Sequence, residues 1–330
     1  MNLRENYLCV LNHGKPEFTP SYFASACGAG FGGRIGPWFE KGPVGGGRDG
    51  FGVMWVTPES GGGAHMPLPG EFILDDITKF RETVTFPDVD ALDWEAEAKK
   101  DLADCDRTEV AVDFGSGNGI FERLAAMMGF ENALTSMALE PEACYDFYSA
   151  VTDYKIKVAE KVAKYFKADT FTNYDDIAME KGPFMSPATY RELIKPNHKR
   201  LNDAVRDLGM IPIYHCCGKA ESLIEDFIET GAAAWTSVQP CNDIVTLLKK
   251  YGDRIAIMGG FRSNGRAGLP DAGEDEVRAE VRRCFNTYGI YSAYVFFGSR
   301  LISTMDPKVK AAAIAPLHDE AMKCSIGGRK

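Results

Sequence analysis

From residue 109 to the C-terminus, short apolar runs alternate with longer segments in which apolar residues recur at helical spacing. Such runs are typical of buried strands, and such segments are typical of helices packed on one face. Strands are predicted within residues 110–114, 168–176, 210–218, 232–240, 254–260 and 291–299. Helices are predicted within residues 121–166, 186–209, 220–231, 243–252, 274–289 and 307–323, the first of them interrupted near Gly129 and Pro141. The pattern indicates a repeated β/α unit.

This alternation favours a parallel α/β fold. Residues 19–25 predict one further strand, so a (β/α)8 TIM barrel is the economical arrangement, and a doubly wound sheet is the alternative. We expect a single domain over residues 1–330, with an N-terminal extension to about residue 108. The Gly-rich residues 42–63 lack the Lys and Ser/Thr of a phosphate loop, and we expect surface loops or a lid there.

Composition narrows the function classes. The chain has 330 residues and a formal net charge of -10, without a basic run that would suit nucleic acid. No segment approaches the roughly 20 apolar residues of a membrane span, and the N-terminus lacks the pattern of a signal peptide. The nine cysteines are an odd number without a disulfide rhythm, so we expect reduced thiols and a cytoplasmic protein.

The segment VAVDFGSGNG, residues 110–119, resembles a strand and glycine-rich turn that could hold a nucleotide. A nucleotide site of that kind needs an acidic residue at the end of the next strand, roughly 20 residues later. Glu140 lies at that distance, but its surroundings read as helix, Pro141 and helix. We therefore expect Gly115, Gly117 and Gly119 to form a tight barrel loop near the mouth of the substrate site.

Residues with metal-binding side chains lie near the predicted strand ends, where a barrel has its active site. His215 and Cys217 are two positions apart on one strand, so their side chains share a face, and Cys216 points to the other face. Zinc accepts imidazole nitrogen and thiolate sulfur, and a catalytic site uses three protein ligands with one position open. Cys241, just past the next strand, is the candidate third ligand.

Other strand-end residues suggest substrate contacts. Asp175 and Asp176 are candidate catalytic residues that could orient a substrate or supply a proton, although they could equally bind backbone N–H groups. Gln239 is a candidate substrate-binding residue. Aromatic side chains that could form a pocket wall, with core packing as the alternative, are Tyr174, Trp235, Phe261, Phe296 and Phe297. The remaining histidines, expected at the surface or in caps, are His13, His65, His198 and His318.

Four segments together resemble the uroporphyrinogen decarboxylase superfamily. They are DGFGVMW, DDIAMEKGPFMSPATYRELIKP, HCCGKAESLIEDFIETG and QPCNDIVTLLKKYGDRIAIMGGF. The decarboxylases carry an arginine-rich N-terminal loop that binds substrate carboxylates, whereas residues 1–51 of this chain contain only the scattered Arg4, Arg34 and Arg48. His215, Cys217 and Gly218 instead resemble the His-x-Cys-Gly motif of the zinc-dependent, corrinoid-linked methyltransferase branch.

This resemblance implies transfer of a methyl group from a methoxylated aromatic compound to the cobalt(I) of a corrinoid-binding protein, with zinc activating the ether oxygen. Members that serve coenzyme M carry a ligand cysteine in a Gly-Cys-Gly turn, but this chain has Gly298 and Ser299 there, which leaves the third ligand open. The alternatives are transfer from a methylated corrinoid protein to a thiol or folate, a decarboxylase-like lyase, and a non-catalytic corrinoid-docking protein. The oligomeric state is open, a homodimer included.

Overall fold

A computed structural model describes residues 1–30, 40, 42–43, 45–58, 65–302, 304 and 306–327. Its main sheet has seven strands, and every neighbouring pair is parallel. The order of the strands in the sheet follows the chain. They are β1 (Ala26–Ala29), β2 (Ala111–Ser116), β3 (Thr170–Tyr174), β4 (Ile211–His215), β5 (Ala234–Val238), β6 (Ala256–Gly260) and β7 (Tyr294–Phe297). A doubly wound sheet would reverse its order at a switch point, so that alternative is excluded.

The two edges of the sheet meet on the segment before β1. Ser21 forms a parallel bridge to Phe296, and the Phe296 N–H donates to the Pro20 carbonyl at 2.9 Å. The sheet is therefore curled into a TIM-barrel-like arrangement, which confirms the expected fold class, with seven strands rather than eight among the described residues. The prediction of a strand at residues 19–25 is wrong, because Tyr22–Ser25 is a short helix and strand β1 begins after it.

From residue 120 onward, the described α-helices alternate with the strands in the order that the sequence pattern predicts, and four further helices precede them. The helices are α1 (Leu3–Leu11), α2 (Tyr22–Ser25), α3 (Phe80–Thr83), α4 (Trp94–Asp101), α5 (Ile120–Met128), α6 (Phe130–Leu139), α7 (Pro141–Lys161), α8 (Pro187–Thr189), α9 (Lys195–Asp207), α10 (Ile224–Glu229), α11 (Ile244–Tyr251), α12 (Glu274–Tyr288) and α13 (Pro307–Gly327). The expected breaks at Gly129 and Pro141 separate α5, α6 and α7. Ser186 caps α8 by accepting from the Thr189 N–H. Within the described residues, no helix combines the length and apolar character needed to cross a bilayer.

The lower part of the barrel interior is apolar. Tyr7, Val10 and Leu11 of α1 pack against small and aliphatic side chains of the strands, Ile213 and Val295 among them. Helix α1 therefore closes the amino-terminal end of the barrel, and the opposite end is where the strands present their carboxyl termini.

The N-terminal extension contributes a small sheet over that carboxyl end. Its antiparallel strands are Gly47–Arg48, Met54–Val56 and Met66–Pro67. Residues 44 and 59–63 of the expected lid at 42–63 lie outside the described residues.

Two buried ion pairs join this extension to the barrel. Arg123 on α5 lies 2.6 Å from Asp49, and Lys155 on α7 lies 2.8 Å from Glu40. All four side chains are at most 5% exposed. Removing one partner would leave an uncompensated buried charge, which is strongly destabilising, so the pairs hold the extension in one position.

A carboxyl group lies inside the barrel above the apolar layer. Asp113 on β2 accepts hydrogen bonds from the hydroxyls of Thr170 (2.6 Å), Thr172 (2.8 Å) and Tyr22 (2.8 Å). Burial raises the pKa of Asp113, although the three hydroxyl donors oppose that shift.

This raised pKa predicts a pH-dependent loss of stability. The folded protein holds the Asp113 proton to higher pH than the unfolded chain does, so stability falls as pH rises from about 4 through the folded pKa. As the pH rises above about 4, we expect the unfolding free energy of Asp113→Asn to fall less than that of the wild type, measured by urea denaturation at a series of pH values. Glu109→Gln, an exposed charge removal next to the same strand, is the control. Equal pH slopes for wild type and Asp113→Asn would contradict the assignment.

Candidate metal centre

The register of two neighbouring strands creates the candidate site. Tyr174, the last residue of β3, pairs with His215, the last residue of β4. Asp176 and Cys217 therefore leave the sheet side by side, and the Cys217 N–H donates to Asp176 Oδ1 at 2.7 Å. Period-two alternation turns Cys216 into the outer core, as expected, where it is fully buried.

Asp176, His215 and Cys217 form a group of potential metal ligands. One donor atom from each residue lies within 4.8 Å of the others, and the Cys217 Sγ is 3.5 Å from the His215 Nε2. A carboxylate, an imidazole and a thiol are all zinc ligands, and three of them leave one position for a substrate. Burial and the Asp176 carboxylate raise the pKa of the Cys217 thiol, whereas a bound metal cation would favour the thiolate.

Glycine is required next to Cys217. Gly218 has a φ of +82°, and a Cβ there would lie 2.7 Å from the Ala178 carbonyl carbon. Its N–H donates to Gln239 Oε1 at 3.0 Å, and its carbonyl accepts from Asn242 Nδ2 at 2.9 Å. Gln239, expected to bind substrate, thus supports the loop that carries Cys217.

Cys241 does not join the group, contrary to the expectation that it is the third ligand. The chain turns after β5, where the Asn242 N–H donates to the Gln239 carbonyl at 3.0 Å. Cys241 lies within this turn, and its Sγ contacts Asn242 Nδ2 at 3.6 Å. Alternation cannot be extended through a turn, so position after a strand end does not define the direction of this side chain.

The expected aromatic wall divides into two parts. Tyr174 and Phe297 are half-buried and flank the His215 ring, with centroid distances of 4.2 Å and 6.3 Å. Trp235 and Phe261 instead lie in the outer core, at 0% and 2% exposure, as the core-packing alternative predicts. Phe296 is likewise in the outer core, stacked on Phe285 at 5.2 Å.

Asp175 is committed to the start of α5. Its carboxylate accepts from the Glu122 N–H at 3.0 Å and the Phe121 N–H at 3.3 Å, and it lies 2.8 Å from His198 Nε2. Gly119 precedes the helix without a capping side chain, and a Cβ there would lie 2.1 Å from the Asp175 Cβ. Asp175 therefore acts as a cap from the neighbouring strand, and a catalytic role for it does not fit this geometry.

His198 was expected at the surface and is instead buried at 3% exposure. Its Nδ1 lies 3.2 Å from the Tyr190 hydroxyl, so both ring nitrogens face polar groups. His198, Leu201 and Val205 share the buried face of α9, and their helical spacing is the sequence signal that could have revealed this position.

Two of the other histidines also depart from the surface expectation. His65 lines the cleft described next, and His318 stacks on Phe23 with a centroid distance of 4.3 Å. Burial lowers the pKa of His318. His13 is exposed, as expected.

A largely apolar cleft of about 510 Å³ leads from the surface to Asp176. The extension forms one wall, and helices α5 and α6 form another. Its apolar lining includes Trp55, Met66, Pro67, Leu68, Pro69, Phe72, Phe121, Ala125, Phe130 and Phe184, and its polar lining is His65, Asn118, Glu122 and Asp176. Asn118 comes from the glycine-rich turn, which therefore reaches this cleft, whereas Gly115 of the expected loop lies within β2.

The separate roles of the two adjacent aspartates can be tested by stability. Asp175→Ala removes the acceptor for two helix N–H groups and leaves His198 buried without its carboxylate. We expect it to lower the unfolding free energy by about 2 kcal/mol, measured by urea denaturation. Asp243→Ala removes a comparable cap of α11, but an exposed one, and should cost less. A loss for Asp175→Ala no larger than that of this control would refute the capping role.

Comparison with solved structures supports the barrel-like fold described above. A methyltransferase from Methanosarcina mazei has a TM-score of 0.67 at 13% sequence identity, and the match covers 97% of this chain and 99% of that chain. Lower similarity is found to a GH27 β-L-arabinopyranosidase from Geobacillus stearothermophilus, with a TM-score of 0.41, 12% identity and coverage of 96% of this chain and 78% of that chain. A xylose isomerase domain protein from Planctomyces limnophilus gives 0.37 and 14%, covering 71% and 84%. Neither of these two TM-scores is high enough to indicate a shared fold.

No curated protein sequence matches this chain. The family described as uroporphyrinogen decarboxylase (URO-D) matches residues 52–315, which include the cleft wall from Trp55 onward and the Asp176, His215 and Cys217 group. The chain therefore belongs to the uroporphyrinogen decarboxylase family.

Proposed function

We propose that this protein is a zinc-dependent methyltransferase that moves a methyl group from a methoxylated aromatic compound to the cobalt(I) of a corrinoid-binding protein. The observation that carries the proposal is the Asp176, His215 and Cys217 group, of which Asp176 also lines the largely apolar cleft. The Methanosarcina mazei structure, which is named a methyltransferase, adds support because the likeness extends over nearly all of both chains.

The donor set fits zinc. The Cys217 N–H donates to Asp176 Oδ1, which holds the carboxylate beside the thiol and the imidazole. Tyr174 and Phe297 flank the His215 ring, and Gln239 supports the loop at Gly218. Zinc at these three residues would supply a Lewis acid that polarises an ether oxygen and so makes the phenolate a better leaving group.

The cleft walls provide binding for an aromatic ring. Phe130 and Phe184 meet edge to face with centroids 4.8 Å apart, and Phe121 contacts both rings. Aromatic and aliphatic walls bind a planar apolar ring and exclude water from the proposed metal ligands. The walls of the cleft would thus orient the methoxyl group toward Asp176, His215 and Cys217.

Decarboxylation of a porphyrinogen is less compatible with the positions of the arginines. Arg4 pairs with Asp169 near the closed end of the barrel, and Arg48 donates to the Gly52 carbonyl at 2.7 Å and pairs with Glu71. Neither lines the cleft, and Arg34 lies outside the described residues. A tetra-acidic substrate would therefore lack counter-charges from these two side chains.

Metal content tests the ligand assignment. We expect about one zinc per purified chain, measured by inductively coupled plasma mass spectrometry. Asp176→Ala, His215→Ala and Cys217→Ser should each lose most of the metal, whereas Cys241→Ser should keep it. Wild-type protein without zinc would refute the proposal, and zinc loss in Cys241→Ser with retention in Asp176→Ala would reverse the assignment of the third ligand.

Methyl transfer tests the reaction and its direction. Zinc-loaded protein, 1,2-dimethoxybenzene and free cob(I)alamin are mixed without oxygen, and we expect an absorbance change from cob(I)alamin to methylcobalamin. His215→Ala is the control and should be inactive. Methylcobalamin with a thiol or folate acceptor tests the opposite direction, and activity only in that assay would contradict the proposed one.

A further inference from the structure

Asn242 is a buried side chain at the junction of the loops that follow β4 and β5. It is 5% exposed and comes directly before Asp243, whose carboxylate accepts from the Thr246 N–H and so caps α11. Because Asp243 already provides the helix cap, the buried position of Asn242 needs another explanation.

Both donors and the oxygen of the Asn242 amide are used. Nδ2 donates to the Gly218 and Gln239 carbonyls, each at 2.9 Å, and Oδ1 accepts from the Glu221 N–H at 3.1 Å. Exchanging the nitrogen and the oxygen would set the amide oxygen against two carbonyls, so these partners define the orientation of the amide. Asn242 thus ties the loop after β4 to the turn after β5.

Side chains support the chain where the backbone pairing of β4 ends. The Cys216 N–H still donates to the Thr236 carbonyl at 2.7 Å. After Cys217, both the N–H and the carbonyl of Gly218 bind side chains from the turn after β5, and the carbonyl binds Asn242 in buried surroundings. Without Asn242, this carbonyl would be buried and unpaired, a cost that the loop can avoid only by moving.

We propose that Asn242 is a positioning residue that holds the Cys217 thiol where it can share a metal ion with Asp176 and His215. The inference rests on the proposed function and extends it to a residue outside the ligand group. His215 is the last residue of β4 and is fixed by the sheet, whereas Cys217 adjoins the loop that Asn242 holds. Replacing a residue that orients metal ligands through hydrogen bonds typically lowers metal affinity about 10- to 100-fold.

Zinc affinity tests this role on the full chain without turnover, by competition with a chromogenic chelator. We expect Asn242→Ala to weaken zinc binding about tenfold or more, because the Cys217 thiol is no longer held beside His215. Asn202→Ala is the matched control and should keep the affinity of the wild type. Asn202 is also 5% exposed, and its amide donates to the carbonyl and hydroxyl of Thr230, which precedes β5 at the opposite end of the barrel.

Asn242→Asp separates position from charge. The aspartate keeps the shape of the side chain and the acceptor for the Glu221 N–H, but an ionised carboxylate cannot donate to the Gly218 carbonyl. Its negative charge alone would strengthen the binding of a cation, whereas the loss of positioning weakens it. We expect weaker zinc binding than in the wild type. If Asn242→Ala does not fold, this variant carries the test.

Cobalt(II) in place of zinc reports on the thiolate directly. A thiolate ligand gives a charge-transfer absorption in the near ultraviolet, which Cys217→Ser should lack. At saturating cobalt(II), we expect this absorption to be weaker in the two Asn242 variants than in the wild type and Asn202→Ala. A general loss of stability would not produce that difference.

Each result is decisive. Zinc affinity and cobalt spectra equal to those of the wild type in the Asn242 variants would overturn the positioning role and leave the proposed function intact. Equal weakening in Asn202→Ala would also overturn it, because the effect would then come from stability alone. Wild-type protein that binds no zinc would instead overturn the proposed function, and the inference with it. Weaker zinc binding and a weaker thiolate absorption confined to the Asn242 variants support the proposal.

Discussion

The parallel register of β3 and β4 is the constraint on which the candidate site depends. Because Tyr174 pairs with His215, the residues two positions further along each strand become neighbours, and the Cys217 N–H binds the Asp176 carboxylate. A one-residue shift of either strand would send Asp176 or Cys217 to the outer face. The register of the sheet therefore brings Asp176 and Cys217 together. The loop at Gly218 then sets the direction in which the chain continues.

Much of this arrangement follows from the sequence. The alternation of apolar runs with amphipathic segments predicts a parallel α/β barrel, because few other folds bury so many short strands between helices. The His-x-Cys spacing predicts that His215 and Cys217 share a face. The same period-two rule places Asp176 on the face of Tyr174 and Asp175 on the opposite face, so the sequence contains the signal that separates the two aspartates.

Other features could not be predicted because they depend on contacts between segments far apart in the chain. Asp175 caps α5 across about 54 residues of sequence, as its bond to the Phe121 N–H shows. Cys241 lies in a turn whose direction is set by Asn242. Residues 19–25 have aromatic and small side chains that suit either a strand or a helical turn, and the short helix places the Tyr22 hydroxyl on Asp113, inside the barrel.

The cleft and the donor group have different structural origins. The group of Asp176, His215 and Cys217 is formed by the strand ends alone. The cleft also requires the docked extension, because Trp55, Met66 and Pro67 form one of its walls. Docking depends on Arg123 and Lys155, whose buried carboxylate partners Asp49 and Glu40 lie on the extension. Apolar substitutions in the extension can therefore reshape the cleft without disturbing the ligands, while the ion pairs keep its wall in register with the barrel.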